Sequence, residues 1–164
     1  MLRLGSQGLF CYNIFMFYSA NENQLIAFGY QLGQRLKAND LIVLTGDLGS
    51  GKTTLTKGIA KGLGIDQMIK SPTYTIVREY EGRLPLYHLD VYRIGDDPDS
   101  IDLDDFIYND GVTVIEWGEL LGDDILEDYL ELIISRCEQG RSIECKAHGN
   151  AYHNLMMELE DAER

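Results

Sequence analysis

A chain of 164 residues that is 45% hydrophobic and 25% charged is long enough to bury a sizeable core and has ordinary globular composition. Its net charge of −13 argues against a broad nucleic-acid footprint or an anionic membrane surface as direct partner. The charge is uneven: residues 1–93 carry 10 Lys/Arg against 7 Asp/Glu, and residues 94–164 carry 4 against 20. The first half suits phosphates, and the acidic half reads as a solvated surface.

The run LFCYNIFMFYSA (9–20) is apolar, resembles a weak signal peptide and is too short to span a membrane; a third reading is favoured. Met16 is read as the natural start, with residues 1–15 an extension outside the domain and FYS opening a first strand. Ser19 and Glu22 match a capping box, so a helix is expected to follow to about Leu36, burying Leu25, Phe28, Leu32 and Leu36. LIVLT (41–45) is a short buried strand. A Gly-rich turn leads into a helix over 52–63, with Gly64 as its stop.

TYTIVREY (73–80) and LPLYHLDVYR (84–93) form a hairpin, and Asp97-Pro98 starts a short helix over 96–108. VTVIEW (112–117) is another buried strand. LELIIS (130–135) and SIECKA (142–147) make a second hairpin with Gln139-Gly140 at the turn centre. That register sets Cys137 against Ser142 and Cys145 against Ile134. The three cysteines, Cys11 included, are therefore read as thiols of a reducing, cytoplasmic compartment. The tail from residue 150 is helical by propensity and expected to fray. This order of elements implies a single α/β domain over 16–149, with a mixed, mainly parallel sheet, hairpins and flanking helices.

GDLGSGKT, residues 46 to 53, fits the P-loop pattern G-x-x-x-x-G-K-[ST] in full and lies between a buried strand and a helix. Gly46, Gly49 and Gly51 let the backbone approach a ligand closely. The loop N–H groups converge at a helix N-terminus, Lys52 reaches the β- and γ-phosphates, and Thr53 offers a hydroxyl to Mg²⁺. Such a site needs a carboxylate near the metal, and two stand at strand ends: Asp90 and Glu116. Taken alone, Asp90 reads equally as a surface residue paired with Arg93 or Lys70, and Glu116 as an exposed residue after a strand. Alternation puts His88, Asp90 and Tyr92 on one strand face, read as turned to the phosphates and not to the core, with His88 and Tyr92 orienting Asp90.

GDLGSGKTT, SPTYTIVREY, YHLDVYR and VIEW, in this order and spacing, resemble the bacterial TsaE (YjeE) family from about Met16 to Gly149. The resemblance implies a P-loop ATPase supporting formation of threonylcarbamoyladenosine in tRNAs that read ANN codons. It implies a TsaB–TsaD pair as partner, with tRNA met only through that complex. It implies that Gly46, Asp47, Leu48, Gly49, Ser50, Gly51, Lys52, Thr53 and Thr54 cradle ATP. Thr53 and Glu116 then hold Mg²⁺, and Asp90, also near the metal, positions or activates water, so that Lys52, Asp90 and Glu116 form the catalytic set. Ser71, Pro72, Thr73 and Tyr74 match a switch-like segment, Trp117 lies near the nucleotide, and Glu22 and Arg141 match positions near its adenosine end. Ser50 stands where many members carry Ala.

Two other readings are open on the residues: a small-molecule P-loop kinase, and a nucleotide-gated binding module that needs no hydrolysis. The scarcity of Arg and Lys after residue 94 counts against a kinase lid. Arg78, Arg83 and Arg93 are the arginines considered for a built-in catalytic finger.

Overall fold

The computed structural model describes residues 14–70, 77–91, 104–107, 109–117 and 126–163. The switch-like stretch Ser71–Tyr74, Tyr92, Arg93, Cys11 and most of the helix expected over 96–108 lie outside these residues.

Seven strands form one sheet: β1 (Ile14–Ser19), β2 (Leu41–Thr45), β3 (Val77–Tyr80), β4 (Leu86–Asp90), β5 (Val112–Glu116), β6 (Tyr129–Cys137) and β7 (Gly140–His148). Their spatial order is β1-β7-β6-β2-β5-β4-β3. The central strands β6, β2, β5 and β4 run parallel, while the hairpins β6–β7 and β3–β4 and the β1–β7 pair are antiparallel. The short apolar runs LIVLT and VTVIE become central strands because both their faces are covered, as parallel sheets require. β1 starts at Ile14 and Phe15 is buried, so the sheet takes in two residues expected to lie outside the domain.

The helices are α1 (Glu22–Arg35), α2 (Lys52–Gly62), α3 (Asp104–Ile107) and α4 (Asn150–Ala162). The cap of α1 is Asn21, not Ser19: the Asn21 side chain accepts from Gln24 N, and Gln24 Oε1 accepts from Ala20 N. Ser19 instead donates its hydroxyl to Asn21 O at 2.6 Å, because β1 keeps Ser19 in extended backbone paired with Arg141. The tail does not fray. Tyr152, Leu155, Met156 and Leu159 of α4 are buried in the main core, and the Tyr152 hydroxyl accepts from Leu41 N.

The main core lies on the sheet face covered by α1, α2 and α4 and includes Phe28, Leu32, Leu44, Leu55, Ile59, Leu132 and Met156. A smaller cluster on the other face gathers Leu41, Val43, Leu89, Val91, Ile107, Ile115 and Leu126. α1 and α2 cross through glycines: a Cβ on Gly29 would lie 2.6 Å from Leu55 O, and one on Gly33 would collide with Ile59 O. Gly58 and Gly62 answer from α2 against Ile26 O and Tyr30 O. Backbones this close leave no room for a methyl group.

The β6–β7 turn lies one residue earlier than the sequence suggests. Cys137 pairs with Gly140, so Glu138-Gln139 is the turn centre. Cys145 lies opposite Leu132 and Cys137 opposite Gly140, and both are free thiols. The expected lack of a bridge between them holds in a different register. Gly140 has φ +155, and a Cβ there would collide with the Ser19 carbonyl, which explains why Gly stands just after the turn centre.

Candidate functional site

Parallel strands end together, and their carboxyl ends are where an open α/β sheet places its ligand crevice. β2 ends at Thr45 and feeds the loop 46–51, which delivers Lys52 as the first residue of α2. β4 ends at Asp90 and β5 at Glu116, in register as direct neighbours. Lys52, Asp90 and Glu116, far apart in the chain, are all buried, and each lies at or just beyond the carboxyl end of one of these neighbouring strands. Two adjacent buried carboxylates need compensating positive charge.

The loop holds its shape through φ values that favour glycine: +76 at Gly49 and +120 at Gly51. Gly51 is the N-cap residue of α2 and makes no side-chain cap, and the N-terminus of a helix is suited to an anion. Ser50 N donates to Asp47 O, and Asp47, Leu48 and Gly49 form an exposed crest. Ser50 itself is buried and its hydroxyl has no hydrogen-bond partner. Thr53 and Thr54 are half-buried on the first turn of α2.

Lys52 is bent back onto its own loop. Its Nζ donates to Gly46 O at 2.5 Å and Asp47 O at 3.0 Å, and stands 4.1 Å from the centre of the Trp117 ring. That contact is a cation–π interaction. Trp117 reaches it from a left-handed backbone, φ +64, anchored by its N–H to Leu44 O. A bulky residue adopts such a conformation only when its surroundings hold it there.

His88 corrects one expectation. It shares a face with Asp90, but it is fully buried and its Nε2 lies 2.5 Å from Glu116 Oε2. It orients Glu116, not Asp90. Its Nδ1 is buried without a partner, which matches the tautomer with the proton on Nε2 donating to the carboxylate.

A second part of the site lies beyond the crest. A cleft lined by Asn21, Glu22, Leu25, Gly51, Thr54 and Arg141 runs between the start of α1 and the loop. Glu22 and Arg141 are therefore brought together beside the loop. Arg141 donates from Nε to Ser50 O at 2.6 Å. Its register partner Arg136 donates to Leu48 O and Gly49 O. Arg136 is the residue at the loop that sequence reading did not single out; the true hairpin register reveals it. Arg83, one of the arginines considered for a finger, donates to Gly33 O and Leu36 O at the carbonyl end of α1, the end away from the loop.

The residues fit a nucleotide with Mg²⁺. An orphaned Ser50 hydroxyl and a helix N-terminus without a side-chain cap suit phosphate oxygens, and Thr53 with one or both carboxylates is the sparse donor set that Mg²⁺ takes when phosphates and water complete its shell. Among the described residues no cluster of three His, Cys, Asp or Glu exists to hold a metal by protein side chains alone. When bound, such an ion supplies electrostatic stabilisation of phosphoryl transfer.

Comparison with known proteins agrees with this architecture. The family model described as threonylcarbamoyl adenosine biosynthesis protein TsaE matches residues 19–143. The chain belongs to the TsaE family. The tRNA threonylcarbamoyladenosine biosynthesis protein TsaE of Bacillus subtilis strain 168 is 45% identical over 125 residues, covering 75% of this chain and 79% of the relative. That of Treponema pallidum strain Nichols is 44% identical over 111 residues, covering 66% and 82%. The crystal structure of Bacillus subtilis YdiB superposes with a TM-score of 0.83 at 34% identity, covering 94% of this chain and 99% of that one. The TsaE model stops at Ile143, so α4 and its burial are described by the structure beyond the matched span. Among the described residues no helix is long and apolar enough to cross a membrane.

Proposed function

We propose that this TsaE-family chain binds and hydrolyses Mg-ATP as a component of the tRNA threonylcarbamoyladenosine system, acting with a TsaB–TsaD pair to sustain its turnover. The single observation that carries the reading is that buried Asp90 and Glu116 stand side by side at the ends of β4 and β5, while β2, the other neighbour of β5, feeds the loop that delivers buried Lys52. Lys52 is assigned to the β- and γ-phosphates, Thr53 and Glu116 to Mg²⁺, and Asp90 to the attacking water. The Ser71–Tyr74 segment is assigned the role of sensing the γ-phosphate.

Two features support weak hydrolysis by the chain alone. Arg83 is committed to α1, and Arg136 and Arg141 are committed to loop carbonyls. A partner that completes the charge around the γ-phosphate would then accelerate the reaction. The net charge of −13 favours contact with tRNA through the partner and not directly.

The test is formation of modified tRNA by TsaB–TsaD over several turnovers, with and without this protein and ATP. Sustained turnover with the wild-type chain, lost with Lys52→Ala, is the expected result. Turnover that proceeds equally without the chain, or with Lys52→Ala, overturns the reading. Transfer of phosphate to a small acceptor would favour the kinase reading instead.

A further inference from the structure

We propose that Arg136 is a positioning residue that pre-shapes the loop 46–51 for nucleotide before nucleotide arrives. The proposal rests on the nucleotide-binding reading above and extends it to a residue which that reading leaves without a role.

An anion-binding loop turns its N–H groups inward, so its carbonyls point outward and need donors of their own. Three consecutive carbonyls of this loop are met by two guanidinium groups. Arg136 Nη2 donates to Leu48 O at 3.4 Å and Gly49 O at 3.2 Å, and Arg141 Nε donates to Ser50 O at 2.6 Å. The guanidinium lies directly over Gly49, where a Cβ would come within 2.6 Å of Nη2.

The placement is costly by itself. Arg136 and Arg141 are directly opposite on β6 and β7, and like charges opposite each other destabilise an antiparallel pair. The loop carbonyls supply the negative ends of dipoles that offset this repulsion. β6 runs parallel to β2 and pairs with it through Thr45 and Ile133, so the strand that carries Arg136 ends beside the loop that β2 launches. The hairpin therefore works as a brace on the crest. Because Arg136 holds the outside of the loop, its effect falls on nucleotide affinity and not on the chemical step.

The experiment compares wild type with Arg136→Ala and Arg136→Lys. Amide hydrogen exchange over 46–52 is measured without nucleotide, then Mg-ATP affinity and the kcat and KM of hydrolysis are measured. Arg136→Ala is expected to speed exchange in this segment, to weaken nucleotide binding and raise KM by roughly five- to tenfold, and to leave kcat unchanged. Arg136→Lys, which keeps one charged donor, is expected to recover part of the affinity. Thermal unfolding should be close to wild type in both variants, because the side chain is exposed.

Unchanged exchange with unchanged affinity overturns the brace. A drop in kcat with unchanged exchange and KM also overturns it, in favour of direct action on the phosphates. If wild type itself binds no ATP, the functional reading fails, while the exchange comparison still decides whether Arg136 holds the loop.

Discussion

His88 and Glu116 form a buried hydrogen bond, Nε2 to Oε2 at 2.5 Å, between the adjacent parallel strands β4 and β5. The bond fixes the direction of a carboxylate that stands beside Asp90 at the edge of the site. A metal-binding carboxylate held by a second residue loses affinity when that support is removed. Replacing His88 by Ala leaves Glu116 buried without this donor. Stability should fall by about 1–3 kcal/mol, read from urea titration, and divalent-ion binding in the presence of nucleotide should weaken. No change in either would remove His88 from the account of the site.

Trp117 is the single tryptophan of the chain, and it lies over the Lys52 ammonium. Its fluorescence should therefore respond to Lys52→Ala and to nucleotide. Its left-handed backbone gives a second prediction. Trp117→Gly should be more stable than Trp117→Ala by about 1 kcal/mol, since only Gly takes this conformation without a Cβ penalty. Equal stability of the two variants would contradict the backbone assignment.

The α1–α2 crossing depends on missing side chains. A Cβ on Gly33 would strike Ile59 O and Gly62 Cα. Gly33→Ala should lose about 1–3 kcal/mol by forcing the helices apart, despite the better helix propensity of Ala. Because α2 begins at Lys52, the same variant should also weaken nucleotide binding. Stabilisation by Gly33→Ala would show that the helices do not pack this closely.

The described cysteines differ sharply in access. Cys137 is exposed at the hairpin, whereas Cys145 is buried and its thiol is pushed well above its ordinary value, first by burial and then by the nearby charges of Glu144 and Glu163. The thiolate is the nucleophile that attacks a labelling reagent. Mildly alkaline labelling followed by peptide mass analysis should modify Cys137 quickly and Cys145 only under denaturing conditions. Labelling of Cys145 at a rate matching Cys137 would contradict the packing of β7.

Much of this architecture is legible in the sequence because short-range patterns carry it. LIVLT and VTVIE announce central strands, GDLGSGKT lies between strand and helix, and Asp90 and Glu116 close their strands. Other features depend on relations across space. The choice of Asn21 over Ser19 as cap is decided by the pairing of Ser19 with β7. The buried role of His88 is decided by Glu116 on a neighbouring strand. Arg136 becomes visible only when the hairpin register is moved to centre on Glu138-Gln139. Gly29, Gly33, Gly58 and Gly62 did leave a signal, since each pair is spaced four apart, but a glycine pair reads as helix-weakening until its partner helix is known. The packing of α4 follows from Tyr152, Leu155, Met156 and Leu159 at helical spacing, a pattern that outweighs the polar residues around it.

The central claim is tested most directly by the rate of ATP hydrolysis by this chain alone and then with the TsaB–TsaD pair from the same source. The account predicts slow, Mg²⁺-dependent hydrolysis alone, a clear rise with the pair, and loss of both in Lys52→Ala, while Asp90→Asn binds ATP without turning it over. Hydrolysis unaffected by the pair, with no complex formed in the presence of ATP, would contradict the account and leave the loop 46–53 as a nucleotide site with a different task.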